Sequence, residues 1–212
     1  RLQTGAGAPV TVRNPSAGEI TAEFAGASID QVRAAISAAR TVADQGDWAA
    51  MPMKARVEIV RGLLARFNAR IDDLRALIVT ETGMPIKSFA LDAQIGAPLR
   101  QMDAMLDLCL KLPETEENPI TLDERVNPMG GFVQSIRRYV PVGVVAAISA
   151  YNFPLHINLW KILPALATGN AVILRPSPLT PLSALALAEI AAEAGLPEGV
   201  LSVIAEAGAE GA

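Results

Sequence analysis

The last third of the chain alternates short apolar runs with amphipathic stretches. After Gly143 come the runs "VVAAIS", "AVILR" and "LSVIA", and such continuous apolar runs are typical of strands buried on both faces. Helical patterns lie between them over 155–167 and 180–195, the second with Thr180 as predicted cap and Pro181 at its first position. Strand, helix, strand, helix, strand with short connections predicts a parallel, right-handed α/β unit.

Helical periodicity dominates the region before that unit. Residues 10–24 predict a strand, a turn at Asn14-Pro15-Ser16 and a returning strand. Ser28 and Gln31 then have the spacing of a capping box in front of a first helix. Apolar spacing predicts further helices over 54–70, 72–82 and 88–111, the second ending at Gly83.

A polar stretch rich in turn residues separates the two patterns near Pro113. The sequence Met129-Gly130-Gly131 predicts a hairpin turn between strands over 122–126 and 132–140. Since a lone hairpin is not stable in water, it must pack on its own domain or on another subunit. The acidic run 114–117 is predicted to be a solvated loop.

Composition excludes several classes of function. The 212 residues carry a formal net charge of −4 without a basic stripe, so no nucleic-acid partner is expected. No apolar stretch approaches the length of a membrane span, so no membrane partner is expected either. One cysteine and one histidine exclude a disulfide framework, make a His/Cys metal site improbable and fit a reducing, cytoplasmic location.

Candidate chemistry lies beyond the carboxyl ends of the predicted strands, where open α/β sheets bind ligands. The glycine fingerprint of dinucleotide sites is absent after the first strand. Arg175 ends the second strand, and its fork of donors either binds hydroxyl or phosphate groups or is an ordinary surface arginine. Asn152 is either a common helix N-cap or a neutral donor of the oxyanion-hole type. His156 is interpreted as a packed or pocket-lining histidine, and Cys109 as a core side chain.

The segment from "VPVGVVAAISAYNFP" through "LWKILPALATGNAVILRPSPLTP" to "EAGLPEGVLSVI" resembles the aldehyde dehydrogenase superfamily over some sixty consecutive residues. The upstream "NPSAGEI" and the helices extend the likeness to essentially the whole chain. The resemblance implies an α/β fold, a parallel Rossmann-like βαβαβ sheet flanked by helices with a protruding β-hairpin. It divides the chain into 1–121, the N-terminal hairpin and helices of a cofactor-binding domain, 122–141, an oligomerisation hairpin, and 142–212, the first part of the dinucleotide-binding sheet.

The resemblance also implies a mechanism, in which a cysteine thiolate attacks an aldehyde, a hydride passes to NAD or NADP, and water hydrolyses the thioester. Asn152 matches the asparagine that donates to the oxyanion. The positions that match cofactor contacts are Ile148, Ser149, Ala150, Tyr151, Arg175 and Ser177. The positions that match the substrate tunnel are Phe153, Ile157 and Trp160, with Lys161 beside the active site.

Departures from the family pattern limit the expectation. Pro178 replaces a glutamate that binds ribose hydroxyls in many members, which makes NADP admissible and leaves the choice between NAD and NADP open. Cys109 lies upstream of the asparagine motif and does not align with the nucleophile. We therefore expect the chain to be the amino-terminal part of a longer enzyme, a dimer or tetramer, and inactive by itself.

Two other interpretations stay open at this point. One is a non-catalytic dinucleotide-binding or oligomerisation module. The other is a reductive relative that takes acyl thioesters or acyl phosphates.

Overall fold

The computed structural model describes residues 3–208. The helices are α1 (Ile29–Gln45), α2 (Asp47–Ala50), α3 (Met53–Ala69), α4 (Ile71–Thr82), α5 (Phe89–Gln94), α6 (Gly96–Cys109), α7 (Pro154–Ala167) and α8 (Leu182–Glu193). The strands are β1 (Pro9–Arg13), β2 (Ile20–Ala25), β3 (Thr115–Glu117), β4 (Ile136–Arg138), β5 (Val144–Ile148), β6 (Ala171–Arg175) and β7 (Leu201–Val203).

The parallel sheet is the centre of the fold and has the predicted order β5-β6-β7. Its middle strand β6 is buried on both faces, because Ala171 and Ile173 pack in one cluster with α1 while Val172 and Leu174 join a second with α7 and α8. This two-sided burial is the reason the strand is a continuous apolar run rather than an alternating one.

A layer of helices covers the α7–α8 side of the sheet. Helices α3 and α6 pack on α7, and α4 packs on α8. The largest fully buried side chains of this layer come from α3, α4, α6 and α7, and they include Phe67, Ile78, Met102 and Leu159. The antiparallel hairpin β1–β2 and the capping box of Ser28 and Gln31 are also present as predicted.

The single long helix predicted over 88–111 is wrong. The structure has two helices, with a break at Ile95, whose backbone angles are φ −118° and ψ −63°. Pro98 accounts for the break, because in a continuous helix its ring would collide with the carbonyl of Gln94. In the second helix Pro98 lies in the first turn, where a missing N–H costs nothing.

The predicted strand over 122–126 is also wrong. Strand β4 pairs instead with β3, with Glu116 opposite Arg137, and Asp123–Arg125 forms a turn of 3-10 helix. Opposite charges therefore face each other across a ribbon of β3 and β4, which explains why the acidic run is a strand rather than the predicted loop. The predicted turn is present in a short form, with a bridge between Val126 and Phe132 and a hydrogen bond of 2.7 Å from the N–H of Val133 to the carbonyl oxygen of Arg125.

The start of α8 differs from the prediction as well. Thr180 makes no capping hydrogen bond, and the N-cap position belongs to Pro181, which was expected one position later. The carboxylate of Glu81, at the end of α4, accepts the first N–H groups of α8 instead. Among residues 3–208, none of the helices has the length and apolarity needed to cross a bilayer.

Candidate functional site

The site that the sequence predicts lies at the carboxyl edge of β5 and β6. At the end of β5, Ile148, Ala150 and Tyr151 are exposed, whereas Ser149 is buried. The N–H of Ser149 donates to the carbonyl oxygen of Arg175 at 3.1 Å, which ties the two strand ends together. The segment 148–151 therefore has a fixed backbone and an accessible outer face.

Asn152 follows at the entrance to α7, and it is exposed. The N-cap of α7 is Phe153, and within the described residues 3–208 no side-chain hydrogen bond caps this helix. The alternative that Asn152 is an ordinary N-cap is therefore wrong. Its backbone carbonyl accepts a hydrogen bond of 2.9 Å from Nε2 of the buried Gln94. The main chain at Asn152 is thus held by α5, while its side chain lies at the exposed carboxyl edge of the sheet.

An aromatic and imidazole face lies on α7 beside Asn152. The rings of Phe153 and His156 meet edge-on at 6.2 Å, and those of His156 and Trp160 stack at 5.9 Å. His156 Nδ1 lies 2.9 Å from the carbonyl oxygen of Ala93. Because a carbonyl oxygen can only accept a hydrogen bond, Nδ1 is the donor and carries a proton. This second contact to α5 was not readable from the sequence.

Exposure along α7 separates a site face from a core face. Trp160 is 47% exposed and Lys161 is exposed, while Ile157 is half-buried. The opposite face is fully buried through Leu159 and Ile162. Trp160 therefore belongs to the exposed face of α7, where it stacks on His156.

The end of β6 carries an ion pair that the sequence reasoning missed. Arg175 Nε donates to the Glu206 carboxylate, and Arg175 also donates to the carbonyl oxygen of Gly208. Glu206 is 2% exposed, so the guanidinium charge is neutralised by a buried partner. The signal in the sequence is Glu206, which directly follows the third apolar run. Its carboxylate reaches Arg175 only because β6 and β7 pair in parallel.

Ser177 lies in the turn after β6. Its hydroxyl accepts from the N–H of Leu179 at 3.3 Å, and its carbonyl accepts from the N–H of Thr180 at 3.1 Å. The side chain is half-buried and its oxygen keeps donor capacity.

Cys109 lies away from this edge, on the core face of α6. It is 5% exposed, its Sγ lies 3.4 Å from Sδ of Met105, and burial raises the pKa of its thiol. A neutral, buried thiol is a poor nucleophile, as the sequence interpretation expected. Within residues 3–208 no group of three His, Cys, Asp or Glu side chains could hold a metal ion.

Comparison with known proteins places this architecture in a family. The sequence model of the aldehyde dehydrogenase family matches residues 3–212. Among solved structures, a Mycobacterium tuberculosis aldehyde dehydrogenase complexed with NAD+ is 34% identical with a TM-score of 0.83, and the match covers 100% of this chain and 42% of that one.

Two further structures give the same result. An Escherichia coli NADP-dependent enzyme is 31% identical with a TM-score of 0.85, over 98% of this chain and 41% of that one. A Staphylococcus aureus betaine aldehyde dehydrogenase, in complex with NAD+, is 26% identical with a TM-score of 0.88, over 99% and 41%. The chain thus spans about two fifths of the length of each.

These matches confirm the fold class predicted from the sequence, a parallel α/β sheet flanked by helices. Because the family model extends over residues 3–212, the agreement includes the amino-terminal hairpin, the helical layer and the ribbon as well as the sheet. The chain belongs to the aldehyde dehydrogenase family.

Proposed function

We propose that this chain supplies the cofactor-binding half of an NAD(P)-dependent aldehyde dehydrogenase, which oxidises an aldehyde to a carboxylic acid through a thioester. The observation that carries the proposal is the exposed carboxamide of Asn152, next to the uncapped start of α7 at the carboxyl edge of the parallel sheet. Family membership supplies the reaction class, and the geometry of this edge supplies a role for the residue.

In the proposed reaction, Asn152 Nδ2 donates to the aldehyde oxygen as a cysteine thiolate adds to the carbonyl carbon. The amide is neutral, so it stabilises the developing negative charge without pairing permanently with any carboxylate nearby. When bound along residues 148–151, NAD(P)+ would supply the acceptor for the hydride of the former aldehyde carbon. The resulting thioester is hydrolysed by water, which releases the acid and restores the thiolate.

The edge of β5 and β6 fits a dinucleotide. The segment 148–151 would pass along the cofactor, since its outer face is exposed and its backbone is fixed by Ser149. Ser177 and Arg175 would meet the adenosine ribose. Glu206 neutralises Arg175, and position 178 is proline, so this edge has no net charge that would repel or attract a 2′-phosphate. Both NAD and NADP are therefore proposed as possible cofactors.

The face of α7 would form one wall of the aldehyde channel. Phe153, Ile157 and Trp160 offer apolar contact, and His156 lies between two aromatic rings. Lys161 is exposed next to this wall. The small-molecule partner is therefore proposed to be an aldehyde with an apolar or aromatic portion.

The β3–β4 ribbon and its turn are proposed as the surface that joins copies of the protein into a dimer or tetramer. Its exposed apolar side chains are the argument, since Phe132 is 82% and Met129 is 93% exposed. In the proposed domain division, 1–121 and 142–212 build the cofactor domain, and 122–141, which holds the turn and β4, forms the contact between subunits, with β3 as the strand that joins β4 to the cofactor domain.

The test measures steady-state oxidation of short aldehydes and dinucleotide affinity in the full-length protein of the source that carries this sequence. Asn152→Ala is expected to lower kcat by about 10²–10³-fold, the usual effect of removing one oxyanion donor, with NAD(P)+ affinity almost unchanged. The matched control is Asn68→Ala, an exposed asparagine on α3, which leaves both quantities at the wild-type level.

Two results would overturn the proposal. One is a wild-type protein that neither binds a dinucleotide nor oxidises any aldehyde, which favours a non-catalytic module. The other is an Asn152→Ala enzyme with undiminished kcat. The 212-residue chain assayed alone is expected to show no turnover above background.

A further inference from the structure

Helices α4 and α8 run antiparallel and are joined at both ends by polar contacts. At one end, Arg70 before α4 lies 3.6 Å from the carboxylate of Glu193 in the last turn of α8. At the other, Glu81 in the last turn of α4 contacts the first turn of α8. The two contacts differ sharply in burial, because Glu193 is largely exposed whereas Glu81 is 2% exposed.

The contact of Glu81 is a cap supplied from outside the helix. Its Oε2 accepts from the N–H of Leu182 at 2.7 Å, and its Oε1 accepts from the N–H of Ser183 at 3.3 Å. Among residues 3–208, no side chain at the N-cap position caps α8, and the buried hydroxyl of Thr180 has no hydrogen-bond partner. Exposed N–H groups at a helix start and the helix dipole both favour a carboxylate there.

This carboxylate is not paired with a cation. Within the part of the chain that the structure describes, residues 3–208, no ion pair includes Glu81. A buried carboxylate without a cation is costly unless its hydrogen bonds offset the loss of water. The hydrogen bonds from the N–H groups of Leu182 and Ser183 offset part of this cost, and they fix the carboxylate and the start of α8 with respect to each other.

The start of α8 is tied directly to the turn after β6. Leu182 follows Pro181, and within that turn Ser177 accepts hydrogen bonds from Leu179 and Thr180. The turn 176–181 thus has one end at strand β6 and the other at the residue pair held by Glu81. A shift of the first turn of α8 moves Ser177, since the intervening residues are few and hydrogen-bonded to it.

We propose that Glu81 is a positioning residue for the dinucleotide site, because its carboxylate holds the start of α8 and thereby the turn that carries Ser177. The inference rests on the proposed function only in taking Ser177 and Arg175 as contacts of the adenosine ribose. Glu81 itself is 2% exposed and contacts Leu182 and Ser183, so its proposed effect on the cofactor is through the start of α8.

The experiment compares Glu81→Ala, Glu81→Gln and Glu193→Ala in the full-length protein. Glu81→Ala is expected to speed amide hydrogen exchange at Leu182 and Ser183 and to raise the NAD(P)+ dissociation constant, each on the order of tenfold, the factor that corresponds to about 1.4 kcal/mol. Glu81→Gln keeps a carbonyl acceptor and is expected to stay within about threefold of wild type in both.

Glu193→Ala is the matched control, because it removes a carboxylate from the same helix pair at the opposite end of α8. It is expected to leave exchange at Leu182 and Ser183 and dinucleotide affinity at wild-type values. In turnover, Glu81→Ala is expected to raise KM for the dinucleotide while kcat stays near wild type, a split that loss of stability alone does not produce.

Each outcome decides the matter. Unchanged exchange at Leu182 and Ser183 in Glu81→Ala overturns the proposal, and so does faster exchange with unchanged dinucleotide affinity. If Glu81→Ala does not fold, Glu81→Asp replaces it, since aspartate keeps the charge but reaches one methylene less far. If the wild-type protein binds no dinucleotide, the proposed function fails, while the exchange rates of the Glu81 and Glu193 variants still decide whether Glu81 holds α8.

Discussion

Two regions of the chain differ in how much of their apolar surface they bury. One is the parallel sheet unit, residues 142–208, and the other is the β3–β4 ribbon with its turn, residues 113–141. In the sheet unit, Ala171–Leu174 of β6 are all buried, and helices pack on both faces. In the ribbon, β4 is exposed at every residue and Phe132 and Met129 are almost fully exposed. Apolar pattern therefore specifies the sheet, whereas cross-strand charge pairs specify the pairing of the ribbon.

The difference in burial also indicates where each region obtains its stability. The sheet unit buries its apolar side chains within this chain. The ribbon leaves Leu122, Phe132 and Val140 exposed, so burial of those side chains requires a surface from elsewhere.

The largest expected effect is on the free energy of unfolding, when one large side chain in each region is replaced by alanine. Leu163→Ala removes a side chain with 0% exposure from α7 and is expected to lower the free energy of unfolding by about 2–5 kcal/mol. Phe132→Ala, at 82% exposure in the ribbon, is expected to change it by less than about 0.5 kcal/mol. Urea denaturation measures both, and equal losses would contradict the contrast drawn between the regions.

The second effect is a pH dependence of opposite sign at two carboxylates, Glu81 of α4, which contacts the start of α8 in the sheet unit, and Glu124 of the ribbon segment. Burial raises the pKa of Glu81 to about 7 from 4.5, with the Ser183 hydroxyl and the N–H groups of Leu182 and Ser183 acting in the other direction. The folded protein then holds a proton at Glu81 that the unfolded chain releases. The contribution of Glu81 to stability is therefore greatest below pH 4.5 and falls by roughly 2–3 kcal/mol as pH rises to 7.

In the ribbon, hydrogen bonds from the backbone N–H and the hydroxyl of Thr121 lower the pKa of Glu124. Its contribution is present above its usual range and is lost as pH falls through the lowered value. Melting temperatures of Glu81→Gln and Glu124→Gln between pH 3 and 8 check both signs. Glu81→Gln is expected to remove the decline between about pH 4.5 and 7, and a parent-like slope in that variant would refute the assignment.

The smallest effect concerns the charge pair of the ribbon. Arg137 lies 3.9 Å from Glu116, and the hydroxyl of Tyr139 donates to the same carboxylate at 2.9 Å. Because the ion pair is exposed, Glu116→Ala is expected to cost only about 0.2–1 kcal/mol, and less in high salt. Urea denaturation at low and high ionic strength measures the difference, and a salt-independent cost would point to the tyrosine contact instead.

The sequence alone was sufficient for elements whose signals are local. The continuous apolar runs predicted β5, β6 and β7, Gly83 marked the end of α4 through a left-handed backbone with φ 67°, and Ser28 with Gln31 marked the start of α1. Each of these signals depends on side chains within a few residues of one another, so no knowledge of packing is needed. The break at Pro98 was local too and could have been predicted from the missing N–H.

Only the tertiary structure decided the partners of the polar side chains. Glu81 caps a helix that begins 101 residues later, Glu206 neutralises Arg175, and Gln94 holds the main chain at Asn152. Such pairs depend on strand register and helix packing, which bring together groups that no sequence spacing relates. Residue types and periodicity thus determined the parallel sheet and placed Asn152 just after its first strand. Packing against α5 determined that the main chain of Asn152 is held by Gln94 and that its side chain does not cap α7.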